Sequence, residues 1–196
     1  MELTQFFLEA KPIVVVFHAL AAAVGLGAVV TTDMLFFRFL KDFKISRKEA
    51  DTLDTISKLI WAAIFVLFIT GLMLYLSAPM DYSAKSKFVT KVIIYALIVL
   101  NGVALNKIIS PYLIKLSFDS DSAFMNKNRR LRILRRIAFA SGAFSMISWF
   151  TVFILGSIRS IPLNVGQALG VYTILILGGV IGSQIFALFL KKHRTL

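Results

Sequence analysis

The sequence is short of charged residues and contains no cysteine. Only 16% of its 196 residues are charged, whereas 58% are hydrophobic; soluble domains carry about 25% charged residues. The lack of cysteine excludes disulfides, thiolate metal ligands and cysteine nucleophiles. HExxH, GxSxG and Walker-type motifs are also missing, as are paired carboxylates inside the apolar segments. These absences disfavour hydrolases and nucleotide-driven pumps.

What the sequence does contain is five long apolar segments. Each is close to the roughly 20 residues that an α-helix needs to cross a hydrocarbon core about 30 Å thick. Residues 1–196 are therefore expected to form one all-α domain, a polytopic transmembrane helical bundle. Its predicted spans lie at about 12–37, 56–78, 88–109, 137–158 and 165–190.

The lysines and arginines predict how this bundle lies in the membrane. Six lie between spans one and two, eight from the end of span three to span four, and three in the carboxyl-terminal tail, which leaves five for the other side. Positive residues are retained on the cytoplasmic side. The amino terminus is therefore expected outside and the carboxyl terminus in the cytoplasm, in a multi-pass protein of the inner (plasma) membrane. The net charge of +12 then favours anionic lipids at the cytoplasmic face as partners, not nucleic acid.

One histidine, His18, lies inside an apolar segment. Counting from it by threes and fours gives a stripe of mostly small residues: Ala21, Ala22, Gly25, Val29 and Thr32. Small residues let a second helix approach closely, so His18 is expected to point into the bundle. One interpretation is a neutral histidine that hydrogen-bonds a serine or threonine of a neighbouring helix. The other is a haem ligand, a metal ligand or a proton carrier.

Counting from the outer ends of the spans predicts the side chains that share the depth of His18. They include Met73, Lys91, Tyr95, Trp149, Thr151, Tyr172 and Thr173. His18, Met73, Tyr95 and Trp149 in one layer would line a cofactor pocket, although Tyr and Trp also favour membrane interfaces for their own sake. The other histidine, His193, belongs to the basic tail at the opposite face. A haem would thus need Met73 opposite His18, an open site, or a second copy of the chain.

Asp33 is the only acidic residue inside a predicted span. Lys58, Lys107 and Arg136 are predicted to reach its depth from other helices, so a structural ion pair is one interpretation. The other is a proton or cation relay, in which Asp33 and the polar face of span one line the path of a small transporter or channel.

Three glycines are predicted to serve helix packing. Gly25 lies on the stripe of span one, and Gly178 and Gly182 form a GxxxG pair in span five. Such pairs bring helices together, and this one would also suit a homo-oligomer. In that case the chain is a non-catalytic membrane scaffold or assembly factor.

The segment HALAAAVGLGAVVTTDMLFFRFLKD, from His18 to Asp42, resembles the first helix of a bacterial group. The group comprises copper-resistance-D-type membrane proteins and small membrane protoporphyrinogen oxidases. The shared pattern is a histidine, a glycine pair about seven residues on and an aromatic-rich end with a basic residue, here His18, Gly25, Gly27, Phe36, Phe37 and Arg38. Thr70-Gly71-Leu72 is similar to a Thr-Gly-Leu found there.

This resemblance implies a haem-associated or metal-associated function at the membrane, with His18 as the first ligand. Haem is one cofactor that fits this implication, and the residues alone identify none. Val24 stands where the oxidases have a tryptophan, and their further histidine after the aromatic run is missing. His18 is therefore the only functional residue that the resemblance transfers to this chain.

Overall fold

The computed structural model describes residues 2–39, 46–83, 85–109, 129–159 and 161–192. Over these ranges the chain is helical, as the sequence predicts. The helices are α1 (Glu2–Phe39), α2 (Arg47–Ser77), α3 (Pro79–Ser83), α4 (Ser86–Ala104), α5 (Arg129–Ser157) and α6 (Val165–Lys192). A π-helical turn, Leu105–Ile109, continues α4.

Five of these helices are long and apolar enough to cross a membrane, which confirms the expected number of segments. The stretches that qualify are Gln5–Phe36, Arg47–Ser77, Ser86–Ile109, Arg136–Ser157 and Val165–Ile185. Large apolar side chains cover their outward faces; Phe65 is 65% exposed and Ile174 is 70% exposed. Lipid tails accommodate such faces, whereas an apolar surface of this extent is rare on soluble proteins.

Four helices, α1, α2, α4 and α5, begin before their predicted spans. The first, α1, starts ten residues earlier than predicted and contains Pro12 within it, because Phe6, Phe7 and Leu8 continue the apolar sequence beyond the proline. At α2 the start is fixed by a capping box, in which Ser46 and Glu49 each bond the other's backbone N–H. The helix ends are therefore staggered along the bundle.

Contacts between side chains show that α1 and α2 run antiparallel. In α1, His18 meets Thr70 of α2, while Gly25, further along α1, meets Ala63, which precedes Thr70. Helix α1 also packs on α5, and α5 packs on α4 and α6.

The middle of the bundle is a hydrophobic layer, which we call the central layer. Its buried members are Val29, Ile64, Ile94, Ile98, Trp149 and Tyr172. Trp149 is 2% exposed and Ile94 is completely buried. The Trp149 ring lies against Gly25, where a Cβ would overlap it. The central layer separates two polar sites, one around His18 and one around Asp33, which we call the His18 end and the Asp33 end.

Candidate functional site at His18

His18 is held by a hydrogen bond between helices. Its Nδ1 lies 2.8 Å from Oγ1 of Thr70 in α2. The same hydroxyl oxygen is 2.7 Å from the carbonyl oxygen of Val66 and 3.4 Å from that of Leu67. A hydroxyl has one proton and a carbonyl can only accept, so the threonine proton goes to the backbone. We therefore assign the proton of the His18–Thr70 bond to Nδ1, which donates to Thr70.

This assignment leaves the lone pair of His18 on Nε2. Histidines that bind metals usually donate their other ring N–H to a nearby acceptor, which fixes the tautomer and the orientation of the ring. Thr70 is that acceptor here. A Cβ at Gly71 would be in ordinary contact, 3.7 Å from Cε1 of His18, so the ring lies close to the backbone of α2. The predicted hydrogen bond to a threonine of a neighbouring helix is thus present, and in the neutral ring the free nitrogen is the one that a ligand would use.

The four residues expected to line a pocket do not share one depth. Trp149 contacts Gly25, which lies seven residues, or about 10 Å, along α1 from His18. Tyr95 donates to the carbonyl oxygen of Ile64 at 2.9 Å, six residues before Thr70. Both therefore pack with the central layer.

The prediction that all four share one depth counted from the ends of the spans, which does not account for the offset between neighbouring helices. A cofactor pocket lined by these four residues stays a prediction. Met73 is the member of the predicted set that stays near His18. It follows Thr70 by three residues, less than one turn of α2, and is half-buried.

The His18 end also contains a lysine, Lys91. The sequence predicts its depth but indicates no role for it. Lys91 of α4 is half-buried and lies one turn before Tyr95, on the His18 side of the bond from Tyr95 to Ile64. Its Nζ would lie 3.8 Å from a Cβ at Gly156 of α5. Within the described ranges it has neither an acidic partner nor a hydrogen bond. A lysine inside an apolar span is itself the signal that would have identified it.

Asp33 lies near the carboxyl end of α1, on the other side of the central layer from His18, and faces α5. A Cβ at Gly142 would be 3.1 Å from its Oδ1, so the carboxylate occupies the space that this glycine leaves. In the part of the chain that the structure describes, Asp33 has no hydrogen bond and no ion pair.

The expected ion pairs of Asp33 are therefore corrected. Lys58 pairs instead with Asp54, one turn away on its own helix, at 2.7 Å, with both side chains largely exposed. Lys107 and Arg136 are also exposed and lie beyond ion-pair distance of Asp33. A lysine in α2 reaches a partner four residues away more easily than one across the bundle.

The glycines differ in what they contact. Gly25 is buried against Trp149 and Ala63, whereas Gly178 and Gly182 are exposed, and a Cβ on either would meet nothing within 4 Å. The glycine of α6 that does meet α5 is Gly179, where a Cβ would overlap Ile147. Association of two chains through Gly178 and Gly182 stays a prediction, and His193 lies outside the described residues.

The side chains at His18 offer few metal ligands, so they suit a metal that is already coordinated by a cofactor. Among the described residues, no three His, Cys, Asp or Glu side chains come together in a way that could hold a bare metal ion. Protein-bound zinc takes three or four protein ligands, whereas haem needs only one or two axial ones. His18 can supply one of these.

No family model, curated protein or solved structure matches this chain. The resemblance of its first two spans to copper-resistance-D-type proteins and membrane protoporphyrinogen oxidases therefore stays a prediction.

Proposed function

We propose that this chain is an inner-membrane protein that binds haem through Nε2 of His18, with its amino terminus outside the cell. The observation that carries the proposal is the bond from His18 to Thr70, which orients the ring and leaves one nitrogen free. Haem also agrees with the single histidine at the site and with the resemblance of the first span.

When bound, haem supplies one-electron chemistry. The contribution of the chain is to hold and orient the ligand. Thr70 fixes the tautomer of His18, and the central layer keeps the site away from the opposite face of the bundle. Met73, less than one turn from Thr70, is the residue of this chain that would help His18 to hold the haem. An open position or a second copy of the chain are the alternatives to it.

The test is a haem titration of the protein purified in detergent, followed by absorbance. The wild-type protein should develop a Soret band that reports a histidine ligand, and His18→Ala should lose it. His193→Ala is the matched control, because it removes the other histidine and should keep the band. A protein that stays colourless after haem is supplied would contradict the proposal.

The Asp33 end supports a second candidate function, a proton or cation path. The observation behind it is the Asp33 carboxylate against Gly142, which has no hydrogen bond or ion pair among the residues that the structure describes. The central layer closes the route towards the His18 end in this conformation, so transport would require the helices around Trp149 to move. Flux in proteoliposomes should then depend on Asp33. Equal flux in the wild type and a folded Asp33→Asn variant would eliminate this function.

A further inference from the structure

Lys91 is a cation within α4 that haem ligation by His18 does not use. An ammonium group at membrane depth is costly unless an anion or a polar group accompanies it. In the described residues Lys91 has neither an ion pair nor a hydrogen bond. Helices α2 and α4 run antiparallel, with Ser57 bonded to Asn106 and Ile64 bonded to Tyr95. Lys91, one turn before Tyr95, therefore lies towards the part of α2 that holds Thr70 and His18 and beside Gly156 of α5.

The neighbouring charges do not compensate Lys91. Lys87, one turn away on α4, donates to the carbonyl oxygen of Ile158 at the carboxyl end of α5, and like charges four residues apart on a helix repel each other. Lys11 and Lys85 both lie over the ring of Tyr82. Lys87 is therefore occupied by a helix end, as cations near such ends commonly are. Of these four lysines, Lys91 is the one without a partner among the described residues.

We propose that Lys91 binds a carboxylate of the ligand held by His18, so that the site selects tetrapyrroles with free propionate groups. This inference rests on the proposed function. Charge-assisted hydrogen bonds between ammonium and carboxylate are among the stronger polar contacts in proteins. A propionate here would also offset the repulsion between Lys87 and Lys91.

The experiment compares haem with its dimethyl ester, in which both propionates are neutral. Quenching of tryptophan fluorescence measures the affinity of each compound without requiring ligation, and the Soret band reports ligation separately. The wild-type protein should prefer the free acid by about tenfold or more, the range expected for a hydrogen bond to a charged group. Lys91→Gln should abolish this preference, and Lys91→Arg should retain it.

Two further variants control the comparison. Lys85→Gln removes an exposed cation over Tyr82 and should leave the preference intact. Lys91→Met removes the charge without placing a new polar group in the span, and it should lose the preference as Lys91→Gln does. The ratio of the two affinities within each variant cancels the different partitioning of the two compounds into detergent.

Each outcome separates the two claims. A preference unchanged in Lys91→Gln and Lys91→Met, with the Soret band dependent on His18, overturns the role of Lys91 alone. A preference that depends on Lys91, with no band that depends on His18, leaves the carboxylate site standing and removes the haem-ligation proposal. If neither dependence is found, both are wrong.

Discussion

The His18 end and the Asp33 end differ in how a polar side chain is accommodated inside an apolar helix. His18 and Asp33 lie 15 residues apart on this helix, or about 22 Å. The imidazole bonds a threonine of the next helix, so its direction is fixed. The carboxylate faces a glycine and has no partner in the described residues. The bond to Thr70 therefore defines Nε2 as the free atom of His18. No such bond defines a direction for the Asp33 carboxylate in the described residues.

The central layer keeps these two ends apart. Trp149, Ile94 and Tyr172 fill the bundle between them, and the hydroxyl groups of Ser148 and Tyr172 bond each other at 2.8 Å. Changes at sites this far apart, with no shared partner, usually have additive effects. Substitutions at one end should thus leave the properties of the other unchanged.

The largest expected effect comes from breaking the central layer. In Gly25→Val the new side chain would overlap the Trp149 ring, and such overpacking typically costs about 1–3 kcal/mol of unfolding free energy. Gly27→Val is the control, because position 27 is exposed with nothing within 4 Å of a Cβ. Thermal unfolding in detergent measures both. Equal melting temperatures for the two variants would contradict the close packing of α1 on α5.

The bond from His18 to Thr70 is tested next, because this partner distinguishes the His18 end from the Asp33 end. Thr70→Val keeps the shape of the side chain but removes the acceptor of the Nδ1 proton of His18. Loss of such a partner typically lowers metal affinity by about 10–100-fold, so haem affinity should fall within that range. Thr70→Ser should restore most of it. Absorbance titration supplies the affinities, and a Thr70→Val variant that binds haem like the wild type would show that Thr70 does not orient the ligand.

Asp33→Asn should have the smallest effect on stability and on haem affinity. Within the described residues the carboxylate has no ion pair to lose, so the neutral amide should leave the melting temperature unchanged or raise it slightly, and haem affinity should not change. A marked loss of stability, measured by the same unfolding assay, would reveal a partner of Asp33 outside the described residues.

The number of spans could be predicted from the sequence, but the depth of individual side chains could not. Hydropathy is read along one chain, and it identified all five apolar helices. The level of Trp149 relative to His18 depends on how neighbouring helices slide past each other. That offset follows from contacts such as the one between Gly25 and Trp149, which no single segment encodes.

The partners at both ends were beyond sequence reasoning for a related reason. The apolar segments contain several serines and threonines, so nothing singled out Thr70 as the acceptor for His18. The GxxxG spacing of Gly178 and Gly182 marks one face of α6 but does not say what covers it, and Gly179 proved to contact α5. Lys58 was matched to Asp33 by depth, although Asp54 is only one turn away from it.

The most direct test of His18 as the haem ligand is chemical rescue of His18→Ala. Removal of the side chain should abolish the Soret band of the reconstituted protein, and added imidazole should restore it by supplying the missing nitrogen to the haem. His193→Ala should need no rescue. A Soret band in His18→Ala that equals that of the wild type without imidazole would contradict the account.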